Sequence, residues 1–324
     1  MPGKRLRIIF MGTPDFAVES LKALIENGYN IVGVVTAPDK PAGRGKQIVQ
    51  SAVKRYADGE RLKVLQPEKL KDPGFLYELK SLNADLQVVV AFRMLPEVVW
   101  AMPRLGSFNL HASLLPQYRG AAPLNWVIIN GETETGVTTF LLDRQIDTGR
   151  ILFKERIPIG SNDTVGDIHD RLMKIGATLV IKTVDALAKG DIQPLSQEEL
   201  LQPAIELKHA PRIFKEDCKI DWGKDTESIR NLIRGLSPYP AAWTNLTDTE
   251  SGKAIHTKIY FAEKETTTDK KKPGEIASDG KTYLRIACGN GWLRITDLQL
   301  AGKKRMKIEN FLRGFQQPEK YLAK

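Results

Sequence analysis

Cysteine is scarce in this 324-residue chain, with Cys218 and Cys288 the only two. Two thiols cannot complete a four-ligand metal cage, and they make no framework of the kind that staples small secreted domains. The chain is therefore expected to hold no metal and to work in a reducing cytoplasm. Long apolar runs are missing too. The longest, Leu86 to Phe92, falls far short of the roughly 20 residues that a membrane-crossing helix needs. Basic residues open the chain, but the apolar stretch behind them, Ile8 to Met11, is too short for a secretory signal, so none is expected. Glycine is lacking at one informative place. The first apolar run leads into Met11-Gly12-Thr13-Pro14-Asp15-Phe16, with one glycine where a dinucleotide fingerprint has three. Pro14 also removes an N–H that could have faced a phosphate. A nicotinamide cofactor, and with it dehydrogenase chemistry, is disfavoured.

What is present has a globular balance, 42% hydrophobic and 27% charged, at a length that fits two ordinary domains. The first half alternates short apolar runs with helical patterns. Leu6 to Met11, Ile31 to Val35 and Leu86 to Ala91 read as strands, the last continuous and β-branched as a strand buried on both faces should be. Pro14 to Asn27 reads as a helix, with Pro at its start and Gly28 past its end. The rhythm predicts an α/β fold, a Rossmann-like, mostly parallel sheet with ligands at the carboxyl ends of its strands. Apolar residues at helical spacing from Thr164 to Leu187 predict a long helix closing this domain, residues 1–189. Residues 190–209 lack a clear period and read as a linker. From 210 to 324 the style changes. Thr257 to Ala262, Tyr283 to Ala287 and Trp292 to Leu300 alternate between turns, which predicts a small OB-like β-barrel, and Thr266 to Lys272 reads as a mobile loop.

Charge divides along the same line. Residues 210–324 carry 22 Lys+Arg against 15 Asp+Glu, and the whole chain has a net charge of +9. A basic C-terminal third suits a polyanionic partner, although a solubilising surface would look the same.

The segment Phe108-Asn109-Leu110-His111 carries the most chemistry. If it is extended, Asn109 and His111 share one face while Phe108 and Leu110 pack on the other. Asp147 follows in Gln145-Ile146-Asp147-Thr148-Gly149, a turn after the apolar strand Val137 to Leu142. These three residue types suit acyl transfer between amines with no covalent intermediate. The imidazole takes the proton of an attacking amine. The carboxylate orients the ring and stabilises its protonated form. The amide donates to the oxyanion growing on the transferred carbonyl, where one donor is worth about 3 kcal/mol. A histidine after a strand is also a common structural residue, and Asp-Thr-Gly a common turn, so spacing alone leaves both readings open.

Asn109-x-His111-x-Ser113-Leu114-Leu115-Pro116, Tyr118-Arg119-Gly120 and Asp147-Thr148-Gly149 resemble the signature of the folate-dependent formyltransferases. The likeness runs from end to end with the branch acting on methionyl-tRNA, through Ile8 to Pro14, Pro38 to Lys46, Ile220 to Trp222 and Ser237 to Trp243. It implies that Asn109, His111 and Asp147 are catalytic. It also implies that Ala91, Phe92, Arg93, Met94, Leu95 and Pro96, with Ser113, Leu114, Leu115 and Pro116, line a folate pocket. The loop Ala37 to Gln50 is cationic through Lys40, Arg44 and Lys46, and Pro41, Gly43 and Gly45 predict that it lacks regular structure. In the resembling family this loop enters the acceptor end of the tRNA, and Arg44 matches its key arginine. Lys303, Lys304 and Arg305, with Lys307, form a second cluster near Trp292, Phe311 and Phe315; the resemblance favours tRNA backbone binding there, and a core tryptophan beside a solvated turn is the other reading. Two departures stand out. Phe92-Arg93 replaces the family's common Tyr-Gly, leaving open whether Arg93 meets the folate's glutamate or solvent, and Gln145-Ile146 replaces Gly-Leu or Gly-Met.

The expected activity is transfer of the formyl group of 10-formyltetrahydrofolate to the amino group of methionyl-initiator tRNA by a monomer. The alternatives are the same chemistry on a small amine (glycinamide ribonucleotide or an amino sugar), hydrolysis of the formylfolate, or a catalytically silent RNA-binding protein.

Overall fold

The computed structural model describes residues 2–42, 47–201, 206–265 and 271–324. They form two compact units. The first comprises residues 1–120, 134–157 and 169–209, and the second comprises 121–133, 158–168 and 210–324.

The first unit begins with β1 (Arg7–Gly12), α1 (Asp15–Glu26) and β2 (Asn30–Val35). Next come β3 (Lys40–Ala42), β4 (Gln47–Val49), α2 (Ala52–Gly59), β5 (Val64–Leu65), α3 (Pro73–Ser81) and β6 (Leu86–Val90). After α4 (Glu97–Trp100), β7 (Ser107–His111) and β8 (Arg119–Gly120), the chain forms α5 (Pro123–Ile129) in the second unit. It continues through β9 (Glu134–Leu141), β10 (Ile151–Pro158) and α6 (Val165–Lys189). Seven strands make the sheet, in the order β10-β9-β7-β6-β1-β2-β5. β1, β2, β5, β6 and β7 run parallel, and β9 lies antiparallel to β7. The predicted strands and helices of this half appear with bounds moved by a residue or two, as fraying ends allow, except that β9 begins three residues before the expected Val137.

Both faces of the sheet are covered. Ile9 and Met11 of β1 join Val89, Leu79 and Phe75 in one apolar cluster. Their alternating neighbours Ile8 and Phe10 are equally buried, so β1 reads as a continuous apolar run. On α6, Gly176 lets Leu110 of β7 approach the helix where a Cβ would collide with it. One expectation is corrected here. Residues 40–42 and 47–49 are not irregular but pair as an antiparallel ribbon, Lys40 with Val49 and Pro41 with Ile48. A proline is tolerated because a two-stranded ribbon has edges on both sides. Arg44 and Lys46 lie outside the described residues, as do 266–270 of the Thr266 to Lys272 loop.

The second unit adds β11 (His209–Ala210), which begins in the first unit, then α7 (Thr226–Leu236), β12 (Ala242–Asp248) and β13 (Ala254–Glu265). β14 (Ile276–Ser278), β15 (Leu284–Cys288), β16 (Gly291–Leu300), β17 (Met306–Lys307), α8 (Ile308–Leu312) and β18 (Tyr321–Ala323) complete it. Its sheet has the order β14-β15-β16-β13-β12-β18, with β17 on β16. The two ends nearly close into a barrel. Glu275, just before β14, bridges Leu322 of β18, and Ala323 N–H donates to the Gly274 carbonyl at 2.9 Å. Gly274 has φ +88°, and a Cβ there would overlap the Ala323 carbonyl oxygen, so closure needs glycine. The barrel core includes Cys218, Trp222, Ile259, Ile286, Cys288 and Phe311, and α7 adds Ile229, Ile233 and Leu236.

Candidate active site

The site residues hang from the carboxyl ends of two central strands. β6 and β7 lie side by side in register, with Val89 opposite Asn109 and Val90 opposite Leu110. Ala91 to Pro96 therefore leaves the sheet beside the strand end that presents Asn109 and His111, where an open parallel sheet binds ligands. On the other side His111 faces Thr138 of β9. Asp147 returns from the turn between β9 and β10.

His111 is 6% exposed and firmly placed. Its Nε2 lies 2.9 Å from the Tyr118 carbonyl, and its ring meets Phe140 edge-on at 6.4 Å. A carbonyl only accepts, so the neutral ring carries its hydrogen on Nε2 and keeps a lone pair on Nδ1. That Nδ1 faces Asp147 Oδ2 at 3.8 Å. The separation is longer than a hydrogen bond, and it becomes a favourable ion pair when Nδ1 takes a proton. The Tyr118 carbonyl therefore fixes the ring, and the carboxylate acts electrostatically; triad logic had assigned both duties to Asp147. The Asp147 carboxylate is itself anchored, since Gly120 N–H donates to Oδ2 at 2.9 Å. Asn109 is half-buried, and its carboxamide makes no hydrogen bond to any described residue. Its N–H donors are available to a ligand.

The loops around these groups are held in unusual conformations. Ala91, Tyr118 and Asp147 have φ of +46°, +61° and +56°, all in the left-handed region that non-glycine residues seldom occupy. Such positions persist only where their surroundings over-determine them, and they gather at functional sites. After β7, Thr138 Oγ1 donates to the Ser113 carbonyl at 2.7 Å and accepts from Leu115 N–H at 3.2 Å, pinning the loop to β9. Below Asp147, a Cβ on Gly149 would overlap the Leu141 carbonyl oxygen, so this turn position must be glycine.

Several expected ligand residues turn inward. Ser113 and Leu115 are fully buried; Ser113 Oγ donates to the Gln117 carbonyl at 2.7 Å, and Leu115 packs with Phe140 and Ile151. Only their main chain could border a ligand. Leu95 is buried as well, Leu114, Pro116, Phe92 and Pro96 are half-buried, and Met94 is 68% exposed. Arg93 is exposed at the rim of this segment. Its guanidinium donates to the carbonyls of Pro67 and Glu68 and lies 5.7 Å from the Phe92 ring centre. Sequence reasoning missed Gln197, which is 2% exposed in the stretch read as linker. Its neighbour Leu195 exchanges two main-chain hydrogen bonds with Ile151 at the sheet edge. No local signal marked it, because its partners lie far away along the chain.

The expected tRNA contacts fall in separate places. Lys40 is exposed on β3, above an anchored stem in which Lys54 and Gln66 donate to Asp39 at 2.6 and 2.7 Å. Those bonds, Lys54 first, hold the Asp39 carboxyl below the usual range. In the barrel, Lys303 and Lys304 are exposed, while Arg305 donates twice to Asp297 at 2.8 and 2.7 Å and lies 4.4 Å from the Tyr260 ring centre. Trp292, Phe311 and Phe315 are buried, so these aromatics serve the barrel core while the cations beside them stay at the surface.

Residues 4–184 match the formyl transferase family, and residues 212–316 match the formyl transferase C-terminal domain. The methionyl-tRNA formyltransferase of Parabacteroides distasonis is 58% identical over 322 residues, which is 99% of both chains. The chain belongs to the methionyl-tRNA formyltransferase family. A further member from Flavobacterium johnsoniae is 53% identical over 96% of each chain. Among solved structures, the N-formyltransferase of Helicobacter canadensis in complex with folinic acid and dTDP-3-aminofucose superposes with a TM-score of 0.63 at 22% identity. That match covers 93% of this chain and all of the other. HypX of Aquifex aeolicus in complex with tetrahydrofolic acid gives 0.63 at 18% identity, over 95% of this chain and 47% of HypX. These two likenesses show a shared fold. Family membership makes the chain a formyl-transferring enzyme, and the dehydrogenase and silent-binder readings fall away. Among the described residues, no helix is long and apolar enough to cross a membrane.

Proposed function

We propose that the protein transfers the formyl group of 10-formyltetrahydrofolate to the α-amine of methionine esterified to initiator tRNA, in the cytoplasm and as a monomer. The observation that carries this is the meeting of Asn109 and His111 of β7 with Asp147 of the turn after β9, within a chain matched over its whole length by methionyl-tRNA formyltransferases. The carboxamide of Asn109, without a hydrogen bond to any described residue, and the main chain of residues 91–96 suit a folate whose formyl group lies near His111. The folate supplies the formyl carbon and N10 as the leaving nitrogen.

The residues divide the work by what each atom can do. Asn109 donates N–H to the charge that grows on the formyl oxygen as the amine adds. His111 accepts the amine's proton at Nδ1, the nitrogen left basic by the bond from Nε2 to Tyr118. Asp147 stabilises the resulting imidazolium from 3.8 Å. His111 then returns the proton to N10 as its bond to the formyl carbon breaks. Lys40, Arg44 and Lys46 would meet the acceptor end of the tRNA, and Lys303 and Lys304 its backbone further away. Residues 1–189 would carry the chemistry, 210–324 would carry tRNA binding, and 190–209 would connect them.

The test is tetrahydrofolate release with charged initiator tRNA, free methionine or glycinamide ribonucleotide as acceptor, using wild type, His111→Ala and Arg44→Ala. We expect turnover with charged tRNA only, abolished by the first substitution and weakened through KM by the second. Turnover with either small amine would overturn the substrate assignment.

A further inference from the structure

Gln197 has every polar atom of its side chain engaged, and each partner leads to the reacting groups. Its Nε2 donates to the carbonyls of Asp147 and Gly149 at 2.9 and 2.8 Å. Its Oε1 accepts from Arg119 Nε and Nη2 at 3.1 and 2.7 Å. The next residue after Arg119 is Gly120, whose N–H holds the Asp147 carboxylate. The residue before it is Tyr118, whose carbonyl holds His111 Nε2. One buried amide thus ties together both sides of the pair, the turn that carries Asp147 and the strand whose neighbours orient the imidazole. A carboxamide is required because the partners are of opposite kinds, two carbonyls that only accept and a guanidinium that only donates. No single charged side chain could satisfy both at 2% exposure without an unmatched buried group.

We infer that Gln197 is a positioning residue for the transfer. It clamps the Asp147–Gly149 turn against the Tyr118–Gly120 segment and so sets the 3.8 Å separation of His111 Nδ1 from Asp147 Oδ2. This inference rests on the reading of His111 and Asp147 as the proton-handling pair. Asp147 needs such a clamp. Its φ of +56° is unfavourable for a non-glycine residue and relaxes if the turn is released. Thr138 and Phe140, which also face His111, carry no charge, so Asp147 is the ionisable group whose position matters most to the ring. At 2% exposure Gln197 offers no surface to a substrate, so its contribution should appear in the chemical step and not in binding.

Three variants test this. Gln197→Glu keeps the size and the pairing with Arg119 but loses both donations to the turn, and Gln197→Met removes all four bonds. Arg119→Met releases the opposite end and is read in place of Gln197→Met if that variant fails to fold. We expect kcat to fall on the order of 10- to 100-fold, as displacement by an ångström costs elsewhere, with KM for folate and for charged tRNA unchanged. In an Asp147→Asn background the same substitutions should cost nothing further, since residues acting as one unit are non-additive. A second readout needs no turnover. The imidazole ¹⁵N signals of His111, assigned among the four histidines by comparison with His111→Gln, should move in Gln197→Met as they do in Asp147→Asn. An unchanged kcat, a loss confined to KM, full additivity with Asp147→Asn, or unmoved His111 signals would each overturn the assignment. If the wild type released no tetrahydrofolate with any acceptor, the substrate reading would fail, while the ¹⁵N comparison would still decide the role of Gln197.

Discussion

At the scale of the residue, the site is built from main-chain atoms as much as from reactive side chains. The Tyr118 carbonyl chooses the tautomer of His111, Gly120 N–H anchors Asp147, and Gly149 admits the Leu141 carbonyl. Gly149→Ala is the sharpest probe of this arrangement. Its new Cβ has backbone on the opposing side, so the turn must shift. We expect a loss of roughly 1–3 kcal/mol in unfolding free energy, the range typical of overpacking, together with a fall in kcat as Asp147 moves. Denaturant titration and initial rates measure the two. The shared face of Asn109 and His111 was legible from sequence because they sit two apart on one strand, whereas their assignment to catalysis came only from the family resemblance. Gln197 was not legible. It meets Asp147 across 50 residues and Arg119 across 78, and no local pattern reports such distant partners.

At the scale of the element, periodicity reported what is buried and was silent where pairing alone makes structure. β1, α1, β6 and α6 emerged near their expected bounds because their apolar spacing is dictated by the core they cover. The ribbon of β3 and β4 has no core of its own, and its Pro41 argued against a strand. An element-level prediction concerns the start of β1, which is joined to β6 through Asp85. Arg7 N–H donates to Asp85 Oδ2 at 2.8 Å, and Arg104 Nε donates to Oδ1 at 2.7 Å. The Arg7 main-chain bond first, and Arg104 next, hold this carboxyl below its ordinary value. A depressed folded-state value means that the stabilisation is fully present above about pH 4, the unfolded value, and is lost as pH falls through the lower folded value. Thermal unfolding between pH 5 and pH 2 should therefore show a shallower acid loss in Asp85→Asn than in the wild type. Equal slopes would mean that Asp85 contributes nothing to the pH dependence.

For the whole molecule, charge and thiols divide the two units in ways that can be measured. The excess of cations in residues 210–324 and the cationic Lys40 to Lys46 segment imply that tRNA recognition is salt-sensitive and folate recognition much less so. Raising salt from about 50 to about 200 mM should raise KM for charged tRNA by at least tenfold and leave KM for the folate within a factor of two; parallel changes would argue against phosphate contacts. Both cysteines lie in the barrel core of the second unit, and the first unit has none. Burial pushes the Cys288 thiol up to about 12, and Cys218 is raised for the same first reason. Neither should react with a disulfide reagent at pH 8 until the barrel opens, so the labelling rate is a clock for the opening of that unit alone. A ligand that binds the closed barrel slows the clock, and one that binds elsewhere does not. Charged tRNA should slow it and folate should not, which would turn two otherwise unreactive sulfur atoms into a map of where each substrate is held.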